Sequence, residues 1–183
     1  ETATAKATVG HPAPDFSLTD MRGEPVKLST IGKDKVVMLE WFNPECPFVV
    51  KHHEKNTTFT DLQKEFVGKG VVFLAINSSA AGREGNGIDK NIAAAKNWKI
   101  AYPILNDENG KVGKLYGAKT TPHIFIINKD GVLAYAGAID NNTSADKAGD
   151  VNYARKALTE ILAGQTVSEP STKPYGCSVK YAK

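Results

Sequence analysis

The sequence is poor in cysteine, in excess charge and in long apolar runs, and each scarcity excludes a class of protein. Two cysteines, far apart at positions 46 and 177, form neither a disulfide scaffold nor a local metal knuckle. A net charge of +3 without a dense basic run gives no sign of a nucleic-acid partner. No apolar run approaches the roughly 18 residues of a membrane span. A globular chain with a buried core remains, since 41% of its residues are hydrophobic.

The order of apolar patterns predicts an α/β fold. Predicted in chain order are a hairpin turning at Gly23, a strand at 35–42, a helix at 47–66, a strand at 70–77, a helix at 88–100, a strand at 102–107, a short helix ending near Gly117, a hairpin of strands 123–128 and 132–139, and a helix at 151–164. Strands that alternate with helices are parallel through right-handed crossovers, whereas the last hairpin is antiparallel. We therefore expect a mixed central sheet with helices on both faces.

Composition divides the chain into three parts. Residues 1–10 are expected to be a disordered or loosely attached segment, 11–164 the folded domain with an insertion around 78–98, and 165–183 a tail that carries Cys177. The small polar residues of ETATAKATVG are typical of the segment after a removed signal peptide, so we expect a periplasmic or secreted protein. A trimmed start would have the same composition.

Cys46 lies where a strand is predicted to end and a helix to begin. Pro47 suits the first helical position, because its missing N–H costs nothing there. Cys46 is then at or beside the N-cap, where free N–H groups and the helix dipole favour the nucleophilic thiolate. The neighbouring Glu45 opposes this effect, since it disfavours a second negative charge. The alternative is that Cys46 is only a small buried apolar residue.

Pro122 directly precedes an apolar strand. Proline cannot donate a hydrogen bond to a sheet, so it is expected to cap the strand. The Thr121–Pro122 bond is of the kind in which cis peptides occur, but an ordinary trans proline would cap the strand equally well.

Together the two sites resemble the thioredoxin-like superfamily over roughly residues 11–163. The features that match are a strand, Cys46-Pro47 at a helix start, Thr121-Pro122 before a hairpin, and a last helix. The segments Tyr116-Gly117-Ala118 and Asn128-Lys129-Asp130-Gly131 are similar to the matching stretch of redoxin-type thiol–disulfide oxidoreductases. The resemblance implies a thioredoxin-like fold in which a cis-proline loop lies against a reactive cysteine.

A narrower resemblance joins two distant segments. The run CPFVVKH from Cys46 to His52 and the tail YGCSVKY from Tyr175 to Tyr181 are similar to a peroxiredoxin-like subgroup of the AhpC/TSA redoxins. Val49 departs from a thioredoxin motif, because it occupies the place of the second cysteine. Asn43 departs from typical peroxiredoxins, which carry Thr or Ser there. The late strands also lack an arginine to activate peroxide, since the arginines are Arg22, Arg83 and Arg155.

The resemblance implies a thiol-dependent oxidoreductase that requires no cofactor. Its expected nucleophile is Cys46, with a protein or small-molecule disulfide or thiol as partner. The residues expected to hold a substrate chain beside the sulfur are Thr121, Pro122, Pro47 and Phe48. The tail is expected to fold back so that Cys177 resolves the mixed disulfide. The alternative is that Cys177 is an incidental surface cysteine.

Two further functions stay open. One is slow peroxide reduction through a Cys46 sulfenic acid, an antioxidant activity. The other is a binding protein for copper or a partner, without turnover. On a helix His53 lies roughly 10 Å along the axis from Cys46, too far to share a metal with the sulfur. His123 either approaches Cys46 or points into the core, and strand alternation favours the core; we therefore predict no metal site.

Overall fold

The computed structural model describes residues 5–183, and its centre is a seven-stranded sheet. Its strands are β1 (Ser17–Asp20), β2 (Pro25–Lys27), β3 (Val36–Trp41), β4 (Val71–Asn77), β5 (Ile104–Asn106), β7 (Ile124–Ile127) and β8 (Leu133–Gly137). A second sheet pairs β6 (Thr120–Thr121) with β9 (Cys177–Ser178). The order across the large sheet is β2-β1-β5-β4-β3-β7-β8.

The sheet is mixed, as predicted. Strands β3, β4 and β5 are mutually parallel, while β7 runs antiparallel to β3 and β8 antiparallel to β7. The early hairpin of β1 and β2 joins the sheet by antiparallel pairing of β1 with β5. This α/β arrangement is thioredoxin-like, which confirms the predicted fold class. It places the C-terminal end of β3 beside the N-terminal end of β7, at one end of the strands.

Helices cover both faces of the sheet. They are α1 (Leu28–Ile31), α2 (Pro47–Val50), α3 (Thr58–Phe66), α4 (Ile88–Asn97), α5 (Lys111–Tyr116) and α6 (Tyr153–Leu162), with a π-helical turn at Lys51–Lys55 and a 3-10 turn at Val67–Lys69. Alternate residues of β3 enter two separate cores. Leu39 and Trp41 pack on one face with Phe125, while Met38 packs on the other with residues of α3 and α6 such as Leu158.

The helix predicted over residues 47–66 is wrong in its middle. Helix α2 passes into the π-helical turn, and the chain becomes extended at Asn56, whose φ and ψ are −133° and 159°. The Asn56 side chain donates to the carbonyl oxygen of Lys51 at 2.9 Å, so it holds this break closed. The periodicity missed the break because Phe59, Leu62 and Phe66 continue at helical spacing beyond it.

The segment that precedes the predicted domain also contacts the body, at helix α5 and strand β8. The amides of Ala7 and Gly10 donate to the carbonyl oxygens of Leu115 and Leu133, at 3.0 and 2.8 Å. Residues 1–4 of the predicted loose segment lie outside the described residues, and the division at residues 10 and 164 stays a prediction. Within residues 5–183, no helix has both the length and the apolarity needed to cross a membrane.

Candidate active site

Cys46 occupies the N-cap of α2, as the sequence predicted. Its φ and ψ are −77° and 123°, Pro47 follows in the first turn, and its carbonyl oxygen accepts from Val49 and Val50 at 3.0 and 2.9 Å. The helix start therefore surrounds the residue with backbone N–H groups, which favour negative charge. The residue is 0% exposed, so a reagent reaches its sulfur only when the covering residues move.

The Thr121–Pro122 loop lies directly against this sulfur. The bond between these two residues is cis. The Cys46 Sγ lies 3.1 Å from the Thr121 carbonyl oxygen, which brings together two sites that the sequence analysis found separately. The Thr121 hydroxyl is buried and has no hydrogen-bond partner among the described residues. The expected cis-proline loop is thus present beside the candidate nucleophile.

The C-terminal tail covers the remaining side. Strand β9 pairs antiparallel with β6, with Cys177 opposite Thr121, and the Sγ atoms of Cys46 and Cys177 are 2.6 Å apart. The structure therefore brings together two cysteines separated by most of the chain. The tail also pairs with the backbone of Thr121, where a substrate chain was expected to bind.

Beyond Cys177 the tail stays attached to the body. The amide of Val179 donates to the carbonyl oxygen of Lys119 at 3.1 Å, and that of Ala80 donates to the carbonyl oxygen of Lys180 at 2.8 Å. The hydroxyl of Tyr181 donates to the carbonyl oxygen of Ala118 at 2.8 Å. The resemblance led us to expect a tail that folds back on the domain, but the sequence contained no sign of strand β9, which is only two residues long.

The environment of Cys177 holds its proton on the sulfur. Burial raises the pKa of this thiol to about 12, and the hydrogen bond with Cys46 and the charge of Cys46 add to the effect. The ammonium of Lys180 opposes it. Two of the three main causes depend on Cys46, so they disappear when Cys46 is consumed in a covalent bond. Cys177 is then easier to ionise.

The predicted substrate residues lie in two different settings. Thr121 and Pro122 are buried beneath the tail, whereas Pro47 is exposed and Phe48 is half-buried. The ring of Phe48 meets the ring of Tyr175 edge to face, with centroids 5.9 Å apart. The exposed surface beside the two sulfurs is therefore formed by the start of α2 and the tail itself.

The insertion supports the residues just before Cys46. The Asn43 side chain accepts from the amide of Glu45 at 2.8 Å and donates to the carboxylate of Glu84 at 3.1 Å. The carboxylate of Glu45 accepts from the amide of Gly85 at 2.6 Å and pairs with Lys90 at 3.0 Å. The Gly85 bond and the Lys90 contact lower the pKa of Glu45. Its charge, expected to oppose a thiolate, is thus partly neutralised, a role of the insertion that sequence reasoning missed.

Three of the four histidines belong to the protein interior. His123 is buried, as strand alternation predicted, and its Nδ1 accepts from the amide of Lys119 at 3.1 Å. Burial lowers the pKa of His123 to about 4. His53 lies against the buried carboxylate of Glu40, with Nε2 2.8 Å from Oε2. Among residues 5–183, no cluster of three or more His, Cys, Asp or Glu side chains is placed to hold a metal ion.

A thioredoxin-like sheet, a buried cysteine at a helix start and a cis-proline loop define a thiol-dependent oxidoreductase. The chain belongs to the AhpC/TSA family, whose model matches residues 9–136. That match ends before α6 and the tail, so it says nothing about Cys177.

Two curated relatives agree with this class, and a solved structure shares the fold. The thiol-disulfide oxidoreductase ResA of Bacillus thuringiensis subsp. konkukian is 30% identical over 71% of this chain and 69% of its own. The chloroplastic peroxiredoxin Q of Arabidopsis thaliana is 29% identical over 70% of this chain and 58% of its own. The crystal structure of a hypothetical protein from Sinorhizobium meliloti 1021 is 27% identical, with a TM-score of 0.85 over 97% of this chain and 96% of that one.

Proposed function

We propose that this oxidoreductase works as a two-cysteine thiol–disulfide exchanger, with Cys46 as nucleophile and Cys177 as resolving cysteine. The observation that carries the proposal is the 2.6 Å separation of the two sulfurs beside a helix N-terminus. The substrate is a disulfide of a protein or a small molecule, and the electrons come from the two thiols. No cofactor takes part in this chemistry.

The reaction proceeds in two exchanges. The Cys46 thiolate attacks one sulfur of the substrate disulfide; a bond forms between them, and the other substrate sulfur leaves as a thiolate. Cys177 then loses its proton and attacks the Cys46 sulfur, which releases the second substrate thiolate. The substrate gains two electrons, and the protein holds a Cys46–Cys177 disulfide. An external thiol closes the cycle by reducing that disulfide.

The order of the two attacks follows from the environments of the sulfurs. Cys46 lies at the positive end of a helix, whereas burial and the contact with Cys46 raise the pKa of Cys177. Once Cys46 is bonded to substrate, its charge no longer opposes ionisation of Cys177. The arrangement therefore favours Cys46 as the first nucleophile and Cys177 as the second.

Trapping of intermediates tests this assignment. Reduced protein is mixed with oxidised glutathione, quenched with an alkylating reagent and weighed intact. The wild type is expected to lose two thiols without dimer formation, and Cys177→Ser is expected to stop with one glutathione attached to Cys46. Reaction of Cys46→Ser at the wild-type rate, or oxidation of Cys46 alone in the wild type, would overturn the proposal.

Peroxide is a second candidate substrate. The complete burial of Cys46 beneath the tail favours an oxidant smaller than a peptide. Peroxide would convert the Cys46 thiolate to a sulfenic acid with release of an alcohol or water, and Cys177 would form the disulfide with release of water. Two of the three arginines are engaged in other contacts, which does not favour fast turnover: Arg155 pairs with Glu65, and Arg83 donates to the carbonyl oxygen of Tyr181. Consumption of hydrogen peroxide that is absent in Cys46→Ser would support this activity, and no turnover above buffer would exclude it.

We further propose that the protein acts outside the cytoplasm, in the periplasm or as a secreted protein. The support is the composition of the first ten residues and the suitability of an oxidising compartment for thiol–disulfide exchange. Cell fractionation of the source organism tests the location, and recovery of the protein in the cytoplasm would contradict it.

A further inference from the structure

A buried polar cluster connects the Cys46 helix to the tail. It consists of Lys51, His52, Asp140 and Tyr175, which we call the tail clamp. The residues Lys51 and His52 are 0% exposed although both can carry charge, and Asp140 is 2% exposed. Burial of such groups is costly unless each has a hydrogen-bond partner. The tail supplies one partner to all three groups through a single side chain, Tyr175.

The Tyr175 hydroxyl satisfies three groups at once. It donates its proton to the Asp140 carboxylate at 2.5 Å. Its oxygen therefore accepts from the Lys51 ammonium at 3.0 Å and from His52 Nε2 at 2.8 Å. The Lys51 ammonium also lies 4.8 Å from the centre of the Tyr175 ring. A phenylalanine would keep the ring contacts and lose all three hydrogen bonds.

The remaining contacts of the clamp are internal to the body. Lys51 Nζ donates to the carbonyl oxygen of Asn142 at 2.6 Å, and His52 Nδ1 lies 2.9 Å from the Thr58 hydroxyl. Asp140 also accepts from the amide of Gly149 at 2.7 Å. Each of these three residues is thus also bound by the body, and Tyr175 is the clamp's only contribution from the tail.

Tyr175 stands two residues before Cys177. Between them, Gly176 has a φ of +141° and packs so closely on the Thr121 carbonyl oxygen that a Cβ would collide with it. Cys177 then pairs with Thr121 across β6 and β9. A fixed phenol, a tightly packed glycine and a strand pair leave the Cys177 sulfur little freedom of position.

We propose that Tyr175 is a positioning residue: within the tail clamp, Lys51, His52 and Asp140 fix Tyr175 so that Cys177 stays in contact with Cys46. The proposal rests on the two-cysteine function above. Formation of the internal disulfide depends on the effective concentration of one sulfur near the other, which a docked tail raises and a loose tail lowers. The clamp therefore sets how readily the protein becomes oxidised and how well the tail shields Cys46.

Redox equilibrium with glutathione measures this effect. The full-length wild type and Tyr175→Phe are equilibrated in buffers of stated reduced-to-oxidised glutathione ratio, and the fraction of internal disulfide is read by alkylation and intact mass. We expect the equilibrium constant for disulfide formation to fall at least about fivefold in Tyr175→Phe, since buried hydrogen bonds are lost. In the reduced protein, alkylation of Cys46 is expected to become faster by a similar factor.

Tyr116→Phe is the matched control. The Tyr116 hydroxyl is also buried and donates to the carbonyl oxygen of Pro14 at 2.6 Å, but it does not contact the tail clamp. Loss of general stability affects the folded dithiol and the folded disulfide equally, so it leaves the glutathione equilibrium unchanged. Tyr116→Phe is therefore expected to lower the melting temperature without altering the equilibrium constant. Lys51→Met, which fills the same volume without donating, is expected to shift that constant in the direction of Tyr175→Phe.

The outcomes separate the clamp from the function on which it rests. If the wild type forms no internal disulfide at any glutathione ratio, the two-cysteine function fails. If the wild type forms the disulfide and the equilibrium constants of Tyr175→Phe and Lys51→Met both stay within twofold of the wild-type value, the two-cysteine function stands and the positioning role of Tyr175 is wrong. An equal shift in Tyr116→Phe would also overturn the clamp, because the effect would then be general. Should Tyr175→Phe not fold, the Lys51→Met equilibrium decides alone.

Discussion

The two cysteines are held in contact by regions of very different construction. Cys46 is fixed by a central strand that ends at Trp41 and by the first turn of α2, both part of the core. Cys177 is fixed by a two-residue strand, a phenol and a few backbone hydrogen bonds of the tail. Regions with few buried apolar contacts open at lower free energy than core elements. The proposed nucleophile therefore belongs to the core scaffold, while the proposed resolving cysteine lies on a segment that is expected to open at lower free energy.

The largest effect is expected when the sulfur of Cys46, the cysteine held by the core, is removed. Cys46→Ser is expected to reduce disulfide exchange to the background of the buffer, because the covalent step loses its nucleophile. Thiol release from a chromogenic disulfide measures the rate. The matched control is Cys177→Ser, which should still react once per molecule. Turnover in Cys46→Ser would show that the tail cysteine acts alone.

A second change loosens the tail without touching either sulfur. Gly176→Ala places a methyl group against the Thr121 carbonyl oxygen at a φ of +141°, so β6 and β9 cannot pair as they do. Strain of this kind costs about 1–3 kcal/mol, which corresponds to a roughly 5- to 160-fold loss of internal disulfide in a glutathione titration. Gly117→Ala is the control, because Gly117 also has positive φ, +69°, but has open space around it. Equal behaviour of the two variants would contradict close packing at Gly176.

The pH dependence of stability tests two buried histidines near the site: His52, which belongs to the tail clamp, and His123, which follows Pro122. Burial lowers the folded pKa of both His52 and His123 to about 4, against about 6.5 when unfolded. The unfolded chain then binds more protons between these values, so stability is complete above about pH 6.5 and is lost as pH falls towards 4. Each histidine contributes on the order of 3 kcal/mol to that loss.

Urea denaturation at pH 7, 5.5 and 4.5 tests this dependence. His123→Asn keeps an acceptor for the Lys119 amide but does not titrate, so its unfolding free energy should vary less with pH than that of the wild type. The difference between the two proteins isolates the histidine from the carboxylates. Parallel pH profiles would mean that His123 does not titrate between the two states as described.

The smallest expected effect lies beyond Cys177. Tyr181→Phe removes one hydrogen bond, to the Ala118 carbonyl oxygen, and should lower the unfolding free energy by about 1 kcal/mol. The glutathione equilibrium should stay within twofold, since Tyr175 still fixes the tail before Cys177. Differential scanning calorimetry and the thiol titration check the two halves of this prediction. A large change in the glutathione equilibrium would mean that Tyr181, and not Tyr175, anchors the tail.

Local chemistry explains what the sequence could predict. The Cys46-Pro47 pair, the apolar strands and Pro122 each carry short-range signals, and the fold and the N-cap cysteine were found from them. The contacts of Lys51 and His52 carry no such signal, because their partners Asp140 and Tyr175 are about 90 and 120 positions away. The π-helical turn was missed for a related reason: it places three polar residues inside, against the usual pattern of exposed charge.

The buried ammonium of Lys51 makes the CPFVVKHH run depend on the C-terminal tail. It is 0% exposed and its charge is compensated only when the tail and the loop after β8 are in place. Recombination that replaced the last twenty residues with an unrelated ending would leave this cation without its phenol, and so would harm the fold as well as the chemistry. The CPFVVKHH run and the YGC ending are therefore expected to be gained or lost as a pair in descendants of this chain.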